Sequence, residues 1–446
     1  MTVSTTRLCG RVVLLFLLSG LTIVNATDER LNPNQSLTTV ENTVGVPEEP
    51  TGKLALPQAL AIALLRNPEL SAYSTEIRAQ ESAILQASLL PNPVFGANAA
   101  NFGNNVIRGF DGDVVTLQLS QLIELGGKRA ARITAADLTK QLAGWDYEAK
   151  RADILTLVTQ AFIDVLITQQ RLALTQQMQA LAQQTYASTA ARVQAGKVSP
   201  VEESKAKIAL SSAQIEFQRT QRELDAAKKR LAATWGSTSP SFDQVAGNLE
   251  TLQPPPRLDS LLQRLSDNPD LARWATEITQ RQALVEVEKS KAIPDVTATV
   301  GTSNYLMPND YALLVGFSLP LPVFDRNQGR IGEVQQRLAK AEEERRNAEV
   351  RIQTALNTAY QRLAASYAEV NALHQDILPN AETAYNAASE GYRLGKFGFL
   401  DVLDAQRTLF SAQSQHLQAE AEYHKALADV ERLIGGNPNP SPKAAP

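Results

Sequence analysis

Only three histidines and one cysteine, the latter at position 9, stand among the 446 residues. His374, His416 and His424 are isolated on helical stretches, and none has a second histidine at metal-ligand spacing. They read as solvated or packed side chains, and no metal site is expected. There is no Cys/His pair, no nucleophile elbow and no acid dyad with a plausible pocket. The chain therefore does not read as an enzyme and calls for no cofactor. Gly126-Gly127-Lys128-Arg129 is not a phosphate loop: no glycine stands four places before Gly126, and no Ser or Thr follows the lysine. It reads as the turn that opens a helix. Asp401 and Asp404, spaced i,i+3, share one helix face. Two acidic residues in a first turn can also simply complement the helix dipole, at ~0.3–1 kcal/mol each. Ser199-Pro200-Val201-Glu202 fits a capping box with proline at the first helical position. Gly196 and Gly395 read as turn residues that need unusual backbone angles.

The elements that position these residues are long. Aromatics make up 6% of a chain otherwise rich in Ala, Gln, Leu and Glu, which favours extended helices over a bulky enzyme core. The net charge of −4 gives no footprint for nucleic acid. Arg7 and Arg11 followed by the apolar run Val12 to Ile23 and by Val24-Asn25-Ala26 predict a cleaved signal peptide over 1–26. The rival reading is an uncleaved membrane anchor. Residues 27–53 and 436–446 are polar and Pro-rich and read as flexible ends.

Asn67-Pro68-Glu69-Leu70 recurs as Asn268-Pro269-Asp270-Leu271, and Gly196-Lys197 as Gly395-Lys396, each about 200 residues further on. Two tandem repeats, 54–236 and 257–435, are expected, joined by a Ser-, Pro- and Gly-rich linker over 237–256. Each reads as helix, two strands and two much longer helices. Period-two alternation predicts strands at about 94–103, 113–122, 295–303 and 311–321. Each has about the ~9–11 residues a tilted strand needs to cross a bilayer. Apolar residues at alternating steps of three and four predict coiled-coil helices at about 127–194, 199–235, 329–394 and 398–434.

Four amphipathic strands cannot close a membrane barrel, which needs ~8 or more. Several copies must pool their strands: two would give eight and three would give twelve. The residues thus predict an exported, oligomeric conduit, part β-barrel and part coiled-coil cylinder, without choosing the copy number.

Four stretches carry a family resemblance: Leu56-Pro57-Gln58-Ala59-Leu60 with Asn67-Pro68, Gln121-Leu122-Ile123-Glu124-Leu125-Gly126-Gly127-Lys128-Arg129, Ser318-Leu319-Pro320-Leu321-Pro322, and Phe399-Leu400-Asp401-Val402-Leu403-Asp404-Ala405. In this order the chain resembles the TolC family of outer-membrane efflux channels, in its cobalt–zinc–cadmium resistance (CzcC-like) branch. The resemblance implies a mainly α fold with a small transmembrane β part. It implies a homotrimer whose twelve-stranded β-barrel, set in outer-membrane lipid, continues as a long α-helical barrel in the periplasm of a Gram-negative-type envelope. Its partners would be a periplasmic adaptor (a membrane fusion protein) and an inner-membrane pump, usually of the resistance–nodulation–division type. Divalent metal cations would be the cargo. A duct for drugs, other small molecules or a secreted polypeptide is the alternative, and a poreless periplasmic adaptor or structural coiled coil is the alternative of another class.

The resemblance also implies residue roles. Arg192 to Pro200 and Tyr392 to Phe399 would form the periplasmic aperture. Asp401 and Asp404 would ring it, giving six carboxylates around one axis in a trimer, which favours cations. Tyr392 and Glu202 would latch neighbouring helices. The family's latch arginine falls at Phe397, with Lys396 beside it as a substitute. Gly196, Lys197, Gly395 and Lys396 would be adaptor-docking turns.

Overall fold

Each Asn-Pro pair starts one helix and fastens it to the end of another. In the computed structural model, which describes residues 49–100, 114–305 and 310–436, helix α1 (Leu56–Arg66) stops at Asn67, and α2 (Pro68–Ser88) starts there. Proline lacks the N–H that a first turn leaves unpaired, so it suits this position. The buried Asn67 side chain accepts from Leu70 N at 2.9 Å and donates Nδ2 to Thr234 O at 2.7 Å. Asn268 does the same one repeat on, accepting from Asp270 N at 2.8 Å and donating to Leu433 O at 2.9 Å.

After α2 come β2 (Val94–Ala100) and β3 (Val114–Ile123), then α3 (Lys128–Gln194) and α4 (Pro200–Ala233). Strand β4 (Phe242–Ala246) pairs in parallel with β1 (Gly52–Ala55), which precedes α1. A short helix, α5 (Leu258–Gln263), leads through a 3-10 turn to α6 (Pro269–Lys291), β5 (Val296–Tyr305) and β6 (Asp310–Ser318). Helices α7 (Gln328–Ala372), α8 (Leu378–Arg393) and α9 (Phe399–Ile434) complete the described residues. The expected signal peptide 1–26, most of the segment 27–53 and residues 437–446 lie outside those residues, as do the outer ends 101–103 and 113 of the first two expected strands.

The sheet runs β2-β3-β5-β6, antiparallel throughout. Its register puts Phe95 opposite Leu119, Leu119 opposite Val300, Val300 opposite Val315, and Ala298 opposite Phe317. One face is therefore apolar, yet it is open: Phe95 is 69%, Leu313 79% and Phe317 76% exposed. The other face is polar, with hydroxyl pairs Thr116–Ser303 at 2.9 Å and Ser120–Thr299 at 3.0 Å. β2 and β6 each leave one edge unpaired.

Helix α3 has 67 residues, so at ~1.5 Å per residue it is about 100 Å long. One 18-residue window of it is apolar enough to span a membrane by composition. That stretch holds core positions, Val158, Phe162 and Val165 among them, packed with Leu231, Trp235 and Leu54. A second core joins Leu261, Leu356, Leu363, Tyr423 and Val430. Away from these cores the helices meet through small residues, such as Ala206, Ala213, Ala381 and Ala412. Small side chains let long helices lie close without a thick core.

Two expectations need correction. The segment read as a plain linker, 237–256, contains β4, whose Phe242 (3% exposed) and Val245 (5%) are core residues. The span 329–394 is not one uninterrupted α-helix: a π-helical turn, Leu373–Ile377, separates α7 from α8. Pro379, near the start of α8, cannot donate a backbone hydrogen bond, and a wider turn before it absorbs the loss.

Candidate functional site

Both hairpin turns, α3–α4 and α8–α9, are built alike. Gly196 (φ +66°) and Gly395 (φ +73°) are left-handed, a conformation that costs other residues roughly 1–2 kcal/mol. Lys197 N bonds Arg192 O at 2.9 Å, and Lys396 N bonds Gly391 O at 2.8 Å, closing each helix with the wide turn that follows a left-handed glycine. Lys197 and Lys396 sit beside these glycines, and the Lys396 side chain is exposed.

Around the second turn, Tyr392 packs with Phe399, Leu403, Ala206 and Tyr186. The Phe397 ring lies where a Cβ at Gly391 would stand, so this turn tolerates only glycine there. Arg192, in the last turn of α3, places its guanidinium carbon 4.3 Å from the Tyr392 ring centroid. A cation from another helix, Arg192, thus lies over the Tyr392 ring of this turn. Two polar atoms here are buried without a hydrogen-bond partner, the Tyr392 hydroxyl and Glu202 Oε2. Glu202 does not complete the capping box read from the sequence. The Ser199 hydroxyl accepts from Val201 N at 3.3 Å, while the Glu202 carboxylate turns inward.

Asp401 makes the reciprocal bond that Glu202 does not, accepting from Gly398 N at 2.8 Å at the start of α9. Asp404 is exposed and borders a groove of about 360 Å³ together with Lys205, Ile208, Leu400, Leu403 and Arg407. The structure therefore brings Tyr392 near the α4 face that carries Glu202 and Ala206. It gives Asp401 a capping bond and sets Asp404 among cations.

The model of the family described as "Outer membrane efflux protein" matches residues 59–237 and 261–436. The chain belongs to this family. It is 36% identical over 389 residues to the cobalt-zinc-cadmium resistance protein CzcC of Cupriavidus metallidurans, covering 87% of this chain and 92% of that one. It is 26% identical over 319 residues to the nickel-cobalt-cadmium resistance protein NccC of Alcaligenes xylosoxydans, covering 72% and 71%. The fold matches a crystal structure of CusC, a transmembrane channel protein, with a TM-score of 0.72 at 16% identity over 86% of this chain and 92% of that one.

In this outer membrane efflux protein one grouping escaped the sequence. His374, on the π-helical turn, and His416, on α9, have ring centroids 5.8 Å apart. His416 Nδ1 is 3.7 Å from Glu420 Oε1. Burial, with His374 next, lowers the His416 pKa. Burial, reinforced by Glu250, pushes Glu420 up to about 7. No spacing signal could have paired these histidines, because separate helices bring them together. Among the described residues, no three His, Cys, Asp or Glu side chains already converge on a metal position. His424 lies apart, its Nε2 2.8 Å from Leu249 O.

Proposed function

We propose that this efflux protein is the passive outer-membrane exit duct of a tripartite efflux system. The observation that carries the proposal is the four-stranded sheet, apolar and open on one face, polar on the other, with two unpaired edges. A free edge in hydrocarbon leaves backbone groups unsatisfied at several kcal/mol each, so the sheet must continue into other copies. Three copies give a barrel of twelve strands, and the long helices extend it into the periplasm. On this reading 1–26 is a cleaved signal peptide, and 54–236 and 257–435 are the two repeats.

The helical turns lie at the far end, where a periplasmic adaptor docks on Gly196, Lys197, Gly395 and Lys396. An inner-membrane pump of the resistance–nodulation–division type supplies the energy. Asp401 and Asp404 ring the aperture, Tyr392 and Glu202 take part in its closure, and opening is a rotation of the hairpins. The 36% identity to a cobalt-zinc-cadmium resistance protein supports divalent metal cations as cargo.

The test is growth of a deletion strain across zinc, cobalt, cadmium, copper and a panel of drugs. Selective metal sensitivity, restored by the intact gene, is the expected result. Sensitivity to dyes and antibiotics alone would keep the duct and remove the metal cargo.

A further inference from the structure

The grouping at the π-helical turn has no part in the aperture or the barrel, yet its chemistry is specific. His416 Nε2 is buried and has no hydrogen-bond partner. Gln413 Oε1, one turn earlier on the same face of α9, is likewise buried and unpartnered. An orphaned buried polar atom costs about 1–3 kcal/mol, so two on one face favour binding of a group that satisfies both. Nitrogen and oxygen donors to a cation stand here: two imidazoles and the Gln413 amide oxygen. Glu250, on the segment after β4, acts electrostatically on both His416 and Glu420.

The spacing suits a shared ion. A metal–nitrogen bond of ~2.0–2.1 Å puts an imidazole centroid about 3.2 Å from the metal, so two such rings stand about 5–6 Å apart. The His374 and His416 rings are 5.8 Å apart and inclined by 32°. Behind His416, Glu420 faces the opposite ring nitrogen, Nδ1, at 3.7 Å. A carboxylate on the far nitrogen is how metal-bound histidines are usually oriented and made more basic. His374 and Glu250 are exposed and free to rotate, while His416 and Glu420 are held by packing. Such a site closes on an ion and does not stand preformed.

We propose that His416 and His374, with Glu420 orienting His416, bind one divalent transition-metal ion of the zinc, cobalt or nickel type per chain. The ion would pin the π-helical turn to α9. Since α8 runs from that turn to Arg393 at the hairpin, occupancy would stiffen the hairpin that ends in the aperture turn. The site does not depend on the cargo assignment, because a duct for other molecules could carry it equally.

The test uses the full chain without a histidine tag, purified as its oligomer in detergent. Equilibrium dialysis against zinc chloride should show one saturable ion per chain, and cobalt(II) should give visible d–d absorption of a nitrogen-ligated site. His374→Ala and His416→Ala should abolish both signals. Glu420→Gln should weaken binding by about 10–100-fold. His424→Ala should leave both signals in place. Absence of saturable binding, or equal binding in the wild type and both histidine variants, would overturn the proposal. If His416→Ala does not assemble, the exposed His374 makes His374→Ala the deciding variant. The growth assay reads cargo and the dialysis reads this site, so failure of either leaves the other standing.

Discussion

The guanidinium of Arg192 lies over the ring of Tyr392, 4.3 Å from its centroid, and joins the end of α3 to the end of α8. These residues belong to different hairpins, separated by about 200 positions in sequence. The ring thus receives a cation from the first hairpin. An exposed cation–π contact contributes about 0.5–1 kcal/mol.

Arg192→Ala is accordingly predicted to shift the closed-to-open balance by about two- to fivefold towards open. Single-channel recording in planar bilayers reads this as a higher open fraction. Arg192→Lys should keep part of the effect, since an ammonium retains charge but loses stacking. An open fraction unchanged in Arg192→Ala would remove the contact from the closure mechanism.

Asp401 and Asp404 should separate on substitution. Asp401 accepts from Gly398 N and so holds the start of α9, whereas Asp404 is exposed with no such bond. Asp401→Ala should lower stability by about 0.5–1.5 kcal/mol, the net value of a lost hydrogen bond. Asp404→Asn should leave thermal stability unchanged. The double Ala variant should weaken cation preference and block by multivalent cations in planar bilayers. Unaltered ion selectivity would remove the carboxylate ring. Lys205 and Arg407 border the same groove as Asp404, so the Asp404→Asn effect alone should be the smaller part.

Burial raises the pKa of Glu431, and burial outweighs the Gln160 hydrogen bond in raising that of Asp429. An acid whose folded pKa is raised binds more protons folded than unfolded. Its stabilisation is full below the ordinary carboxylate pKa and is lost as pH rises through the folded value. Melting temperature should therefore fall as pH is raised above the usual carboxylate range. Glu431→Gln should flatten that slope. Parallel slopes for variant and wild type would show that Glu431 is not the group responsible.

Much of the helical plan is legible in the sequence, because its signals are local. Gly196, Gly395 and the Asn-Pro pairs are backbone instructions that act within a few residues. Sheet alternation is local as well, and it survives in the register that sets Val300 against Leu119. What the sequence hides is whatever separate elements bring together. β1 and β4 are short strands with about 190 residues between them. Arg192 meets Tyr392, and His374 meets His416, only through helix packing. Glu202 shows a local signal overridden: its capping box is plausible in isolation, yet its Oε2 is buried without a hydrogen-bond partner. The π-helical turn is marked only by Pro379, which a long helical pattern on both sides conceals.

The sheet offers the sharpest test of the shared barrel. Leu313, midway along β6, 79% exposed on the apolar face and opposite Thr302, has no partner within the described residues that would keep it from water. In a soluble coiled-coil protein, Leu313→Lys would be tolerated or would improve solubility. In a lipid-facing strand, a lysine near the bilayer midplane costs about 2–4 kcal/mol, and three copies per barrel multiply the penalty. Substitution on the opposite face, Thr299→Lys, would point into water and should assemble normally. Outer-membrane fractionation with heat-modifiable migration on gels reads both variants. The predicted pattern is loss of assembled oligomer in Leu313→Lys and its retention in Thr299→Lys. Deletion of 94–122, which removes half the strands of each copy, should abolish insertion altogether. Stable oligomers of that deletion in the outer membrane would refute the pooled-strand barrel.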